Sequence, residues 1–152
     1  MPVDSARLPG EFMDFVDYIV KTYGRALKIV EVGIGRFCEV AVEIKRRLPH
    51  VEVVVTDVNV ETVREVRQMY PMLKVAQDNV TNPNISSYTN ANLVYSIRAP
   101  PELWLELMDL AQRVHADLII RPLPTETPVT LLNFKLVNFG KARFYIWHPS
   151  KR

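Results

Sequence analysis

The stretch Ile29-Val30-Glu31-Val32-Gly33-Ile34-Gly35-Arg36-Phe37 constrains the fold more than any other. An apolar, β-forming run enters two glycines one residue apart and then gives way to a helical pattern. Such a strand–turn–helix needs a backbone that bends tightly and lets a ligand come close, which glycine allows. The helix that follows offers free N–H groups and a positive end to polar or negative ligand atoms. Glu31 stands at the tip of the strand, where an acid repels a sugar phosphate and welcomes an amino group or a hydroxyl.

The rest of the chain reads as a sheet built around this bend. Phe12, Phe15, Val16, Ile19, Val20 and Tyr23 recur at helical spacing, so residues 11–23 form an amphipathic helix between Pro9-Gly10 and Gly24. Ala26 to Val32 is a strand covered on both faces. A helix over Phe37 to Leu48 follows, with Lys45, Arg46 and Arg47 in its last turn and Pro49 as its stop. Val51 to Asp57 is a β-branched strand ending in an acid. Val60 to Tyr70 is a helix closed by Pro71.

Met72 to Ala76 is a short strand, Thr81 to Asn90 an Asn-, Ser- and Thr-rich loop, and Ala91 to Ile97 another strand. Pro100-Pro101 open a helix whose buried face carries Leu103, Trp104, Leu107, Met108, Ala111 and Val114. Ala116 to Ile120 is the next strand. Repeated strand–helix units argue an α/β, doubly wound, mostly parallel sheet. The tail differs. Three prolines between Pro122 and Pro128 exclude a long helix there. Lys135–Asn138 and Ala142–Trp147 are joined too closely for anything but an antiparallel hairpin. One domain over 1–152 is expected: an N-terminal helix at 11–23, a parallel sheet core at 26–121 and a C-terminal hairpin at 134–148.

Composition supports a folded, independent unit. Hydrophobic residues make up 48% of the 152, enough for a core. With 19 basic and 17 acidic residues the net charge is +2, so nucleic acid and acidic membrane are not indicated as partners. Cys38 is the single cysteine, which excludes an internal disulfide and suits a reducing compartment. Met1 to Gly10 lacks a signal peptide pattern, and no apolar run reaches the roughly 20 residues of a membrane span. A soluble, cytoplasmic protein is expected. The hairpin at the sheet edge offers a surface for a homodimer.

In a doubly wound sheet, ligands sit beyond the carboxyl ends of the strands, where strand order reverses. Four segments should converge there. Glu31, Gly33 and Gly35 form the first. Asp57 follows roughly 20 residues later, where an acid accepts ribose hydroxyls. Asp78-Asn79 follow the third strand. Tyr95, Ser96 and Arg98 lie in the fourth segment, where the fourth strand ends; Arg121, a separate candidate, ends the fifth strand. Each has a plainer alternative. The glycines serve any tight bend. Asp57 can cap the helix at Val60, Asp78 can start an Asx-turn, and Glu31 can pair with Arg36 or Arg98. The arginines can be solvated or paired with nearby acids. Cys38 packs as a small hydrophobe. His50, His115 and His148 lack metal-ligand spacing, so no metal is expected.

Glu31-x-Gly33-x-Gly35, the acids Asp57 and Asp78, and the closing hairpin make the chain resemble class I S-adenosylmethionine-dependent methyltransferases, whose fold is Rossmann-like. It also looks like a small archaeal group of uncharacterised Rossmann-like proteins with a similar Gly-Ile-Gly turn. The first resemblance implies S-adenosylmethionine as cofactor. Its methionine part would lie over Gly33 and Gly35, its ribose at Asp57, and its adenine amino group at Asp78, with Glu31 and Asn79 completing the cofactor-binding set. Tyr95, Ser96, Arg98 and Arg121 would face an acceptor, and no residue stands out as a general base. There are departures. Phe37 replaces a third glycine. The helix before the hairpin is short or missing. No insertion is available to select a substrate, and Ser96-Ile97-Arg98-Ala99-Pro100-Pro101 only echoes an aminomethyltransferase signature. An NAD-type dinucleotide-binding protein and a non-catalytic binding or assembly module are the alternatives.

Overall fold

A computed structural model describes residues 8–122 and 133–151. The proline-rich stretch over 123–128 and the segment 1–7 lie outside the described residues. The elements run in the order α1 (Gly10–Thr22), β1 (Lys28–Val32), α2 (Glu39–Arg47), β2 (Glu52–Asp57), α3 (Val60–Met69), β3 (Lys74–Gln77), β4 (Leu93–Ser96), α4 (Trp104–Val114), β5 (Asp117–Ile120), β6 (Lys135–Phe139) and β7 (Ala142–Trp147). Seven strands form one sheet in the order β3-β2-β1-β4-β5-β7-β6. The first five are parallel, β7 runs antiparallel to β5, and β6 pairs with β7 as a hairpin. Strand order reverses between β1 and β4, which defines the crevice for a ligand.

Alternation along each strand divides the core into two layers. Ile29, Val53, Val55, Tyr95 and Ile119 face α1, α2 and α3. Val30, Val54, Val94, Leu118 and Ile120 face α4, through Trp104, Leu107, Leu110 and Ala111. Full burial of an aliphatic or aromatic side chain of this kind contributes roughly 1.5–3 kcal/mol. Among the described residues no helix is long and apolar enough to cross a membrane.

Two local differences from the sequence reading have physical causes. First, α2 begins at Glu39 rather than Phe37, because Phe37 turns back onto Phe12, with ring centroids 4.8 Å apart. Second, the cap of α3 is Asn59, not Asp57: its side chain accepts the Thr62 N–H at 3.0 Å. β3 and β4 are joined by a loop, as the sequence leads one to expect, with a single 3-10 turn over Ile85–Ser87. Among the described residues no helix covers that part of the second layer. Tyr88, fully buried, fills the space instead.

Helix α1 is bound to the C-terminal half of the chain. Asp14 accepts the Lys141 N–H at 2.7 Å, and the Tyr23 hydroxyl donates to Asp117 at 2.7 Å. Arg121 bridges to Glu11 at 3.0 Å and stands over the Phe12 ring at 4.5 Å.

Candidate functional site

β1 delivers its chain into the bend at the carboxyl edge of the sheet. Gly33 and Gly35 have φ of 72° and 55°, the left-handed region that disfavours other residues. A Cβ at either position would meet nothing within 4 Å, so both stand against open space. The Gly33 and Ile34 amides are held by the Thr56 carbonyl at 2.9 and 3.0 Å, which fixes the bend to the end of β2.

Asp57 completes that attachment. Its Oδ2 accepts the Gly35 N–H at 2.9 Å and its Oδ1 the Asn59 N–H at 2.9 Å. The carboxylate is half-buried, and four acceptor directions are available to it. Val58, the next residue, is an exposed apolar side chain beside this acid. Sequence reasoning passed over it; the available signal was an apolar residue placed where a strand becomes a turn.

Between the ends of β1 and β4 lies a small cavity of about 90 Å³, lined by Val32, Gly33, Val80, Ser96, Arg98 and Pro100, with Leu103 and Leu107 behind. It occupies the point where strand order reverses. A second cavity of about 280 Å³ lies between Gly35, Arg36 and Cys38 on one side and Glu65, Met69 and Tyr70, at the end of α3, on the other.

The other candidates separate into those that reach this crevice and those that do not. Arg98 is exposed and reaches it, with its guanidinium 5.5 Å from the centroid of Phe37. Ser96 lines it but spends its hydroxyl on the Val32 carbonyl at 3.1 Å. Glu31 and Tyr95 are closed off beneath it, in the layer facing α1 and α2. The partner of Glu31 is Tyr95 rather than either arginine. Burial pushes the Glu31 carboxyl up to about 8, against the opposing effects of the Tyr95 hydrogen bond and the Arg98 charge. Burial also pushes the Cys38 thiol up to about 12, helped by the carboxylates of Glu31 and Glu39. That is the environment of a packed, unreactive thiol.

Asp78 is buried and already engaged. Its Oδ1 accepts the Asn84 N–H at 2.8 Å and its Oδ2 the Tyr88 hydroxyl at 2.5 Å. The Asx-turn expected there forms at Asn79, whose side chain accepts from the Thr81 N–H and hydroxyl. Arg121 faces α1, where it pairs with Glu11.

Strand order, the glycine bend and the acid at the end of β2 define a methyltransferase-like Rossmann fold. Over 97% of its length the chain matches a TehB-like SAM-dependent methyltransferase from Corynebacterium glutamicum, with a TM-score of 0.61, 15% identity and 91% of that chain covered. It also matches the plantazolicin methyltransferase BpumL, solved with a pentazolic desmethylPZN analog and SAH, at a TM-score of 0.54 and 15% identity, over 77% of this chain and 49% of that one. These likenesses are of fold. Residues 12–149 match the model of the uncharacterised protein family UPF0146, and the chain belongs to that family. A family member from Methanothermobacter thermautotrophicus is 39% identical over 132 residues, which are 87% of this chain and 91% of that relative.

Proposed function

We propose that the chain binds S-adenosylmethionine across its glycine bend and uses it to transfer a methyl group. The observation that carries the reading is the bond from the Gly35 N–H to Asp57. It sets a carboxylate with unspent acceptor capacity against a bend whose outer surface is open. A ribose diol donates naturally to such a group. Exposed Val58 offers an apolar contact for the face of a base. Contact with the edge of the base falls to Asn79 and the backbone near it, since Asp78 is spent within its own loop. Methyl transfer from a sulfonium asks mainly for positioning and exclusion of water, so the lack of an evident general base is no obstacle.

The cavity at the strand reversal, about 90 Å³ against the roughly 300 Å³ of a ligand-sized cleft, favours a second reading: a binding or assembly module without catalysis. Melting temperatures with S-adenosylhomocysteine, with NAD and with neither separate the readings. Ligand at a hundred times its Kd stabilises by about 2.7 kcal/mol. A shift with S-adenosylhomocysteine that disappears in a folded Asp57→Ala variant supports the proposal. A shift with NAD alone replaces it with a dinucleotide site, and no shift with either leaves the module.

A further inference from the structure

The crevice has chemically different ends. Asp57 accepts hydrogen bonds at one end, and Arg98 offers only donors and positive charge at the other, with the glycine bend between them. Arg46, Arg47, Arg64, Arg113 and Arg121 each lie against a carboxylate. Arg98 has no ion pair or hydrogen bond among the described residues. Arg36, also without one there, borders the other cavity, beside Cys38 and Tyr70.

Arg98 is also held in place. Its guanidinium lies over Phe37, and Phe37 is fixed by its contact with Phe12. The nearby acid, Glu31, takes the Tyr95 hydroxyl and is buried, so it does not form an ion pair with Arg98. A guanidinium stacked on a ring keeps its N–H edge free for a planar anion, and a carboxylate matches that edge with two parallel bonds. The partly open space next to it, about 90 Å³, suits the side arm of a ligand rather than a nucleoside.

We infer that Arg98 anchors the carboxylate of an adenosyl amino acid whose ribose lies at Asp57. The assignment rests on the adenosine reading above. It explains the otherwise unused Phe37–Arg98 stack as a means of presenting one cation to one end of the ligand.

The test compares two ligands by calorimetry: S-adenosylhomocysteine, and 5′-methylthioadenosine, which keeps the adenosine and sulfur but lacks the amino-acid end. The wild type should prefer the first by about tenfold or more, the usual size of a charge-assisted bond. Arg98→Ala should erase that preference while changing 5′-methylthioadenosine affinity less than about twofold, and Arg98→Lys should restore part of it. Equal weakening of both ligands in Arg98→Ala, or an unchanged preference, overturns the assignment. Equal wild-type affinity for the two overturns it while the adenosine reading stands. Binding of neither removes both.

Discussion

Tyr95 and Glu31 are direct partners across the parallel β4–β1 ladder, and the phenol donates to Glu31 Oε1 at 2.6 Å. Both side chains are buried, directly under the glycine bend. The pair therefore couples the protonation of one carboxyl to the packing of the layer that supports the site.

A pH dependence follows. The Glu31 carboxyl holds its proton in the fold up to about 8, whereas an unfolded glutamate loses it near 4.5. The folded state binds the extra proton between those limits. The stabilisation is complete below about 4.5 and is lost as pH rises to about 8, with a slope of up to ~1.4 kcal/mol per pH unit from this group. Glu31→Gln should flatten that decline. Urea midpoints at pH 5 and pH 8 for both proteins measure it, and parallel declines would mean that Glu31 is ionised in the fold.

The glycines of the bend should separate stability from binding. Gly33→Ala or Gly35→Ala forces a side chain into positive φ, at a cost of about 1–2 kcal/mol. The added methyl meets no protein atom, so it projects where a ligand would lie. Either variant should remain folded, with a slightly lower midpoint, and lose its thermal response to S-adenosylhomocysteine. A full response would place the ligand away from the bend.

Asp78 and Tyr88 should behave as a latch on the loop. Tyr88→Phe removes the buried hydrogen bond to Asp78 and the longer contact to Thr56, and should cost about 1–3 kcal/mol in denaturant unfolding. S-adenosylhomocysteine affinity should stay within about twofold of wild type, a free-energy change below ~0.5 kcal/mol. A large loss of affinity with little loss of stability would return Asp78 to the base-binding role that the family resemblance implies.

Arg121→Ala tests the opposite assignment from Arg98. It removes an ion pair and a ring contact to α1, worth about 1 kcal/mol together since Glu11 is largely solvated. Its melting point should fall by a few degrees, and its ligand response should be unchanged.

What could be read from the residues depended on how local the signal was. Gly33 and Gly35 lie within one turn of each other, so their spacing revealed the bend. Asp57 was placed at the site because it ends a β-branched run. Its bond to Gly35, 22 positions away, was hidden because pairing between β1 and β2 sets it. The Glu31–Tyr95 pair spans 64 positions and depends on the β1–β4 register, which no local pattern encodes. The loop after β3 was legible from its Asn and Pro content, but Tyr88 sealing the core and occupying Asp78 was not. Phe37 stood out as a departure, and only packing showed that it leans on Phe12 and carries Arg98.

The ties of α1 to the far half of the chain have a consequence for biosynthesis. Tyr23 reaches across 94 positions, Glu11 across 110 and Asp14 across 127. As the ribosome delivers the chain from its amino end, α1 waits through the synthesis of nearly every strand before its last partners emerge. Closing such long loops slows the final docking step. In that interval the part of the apolar stripe that meets the hairpin, Phe15 against Phe144, lacks its cover.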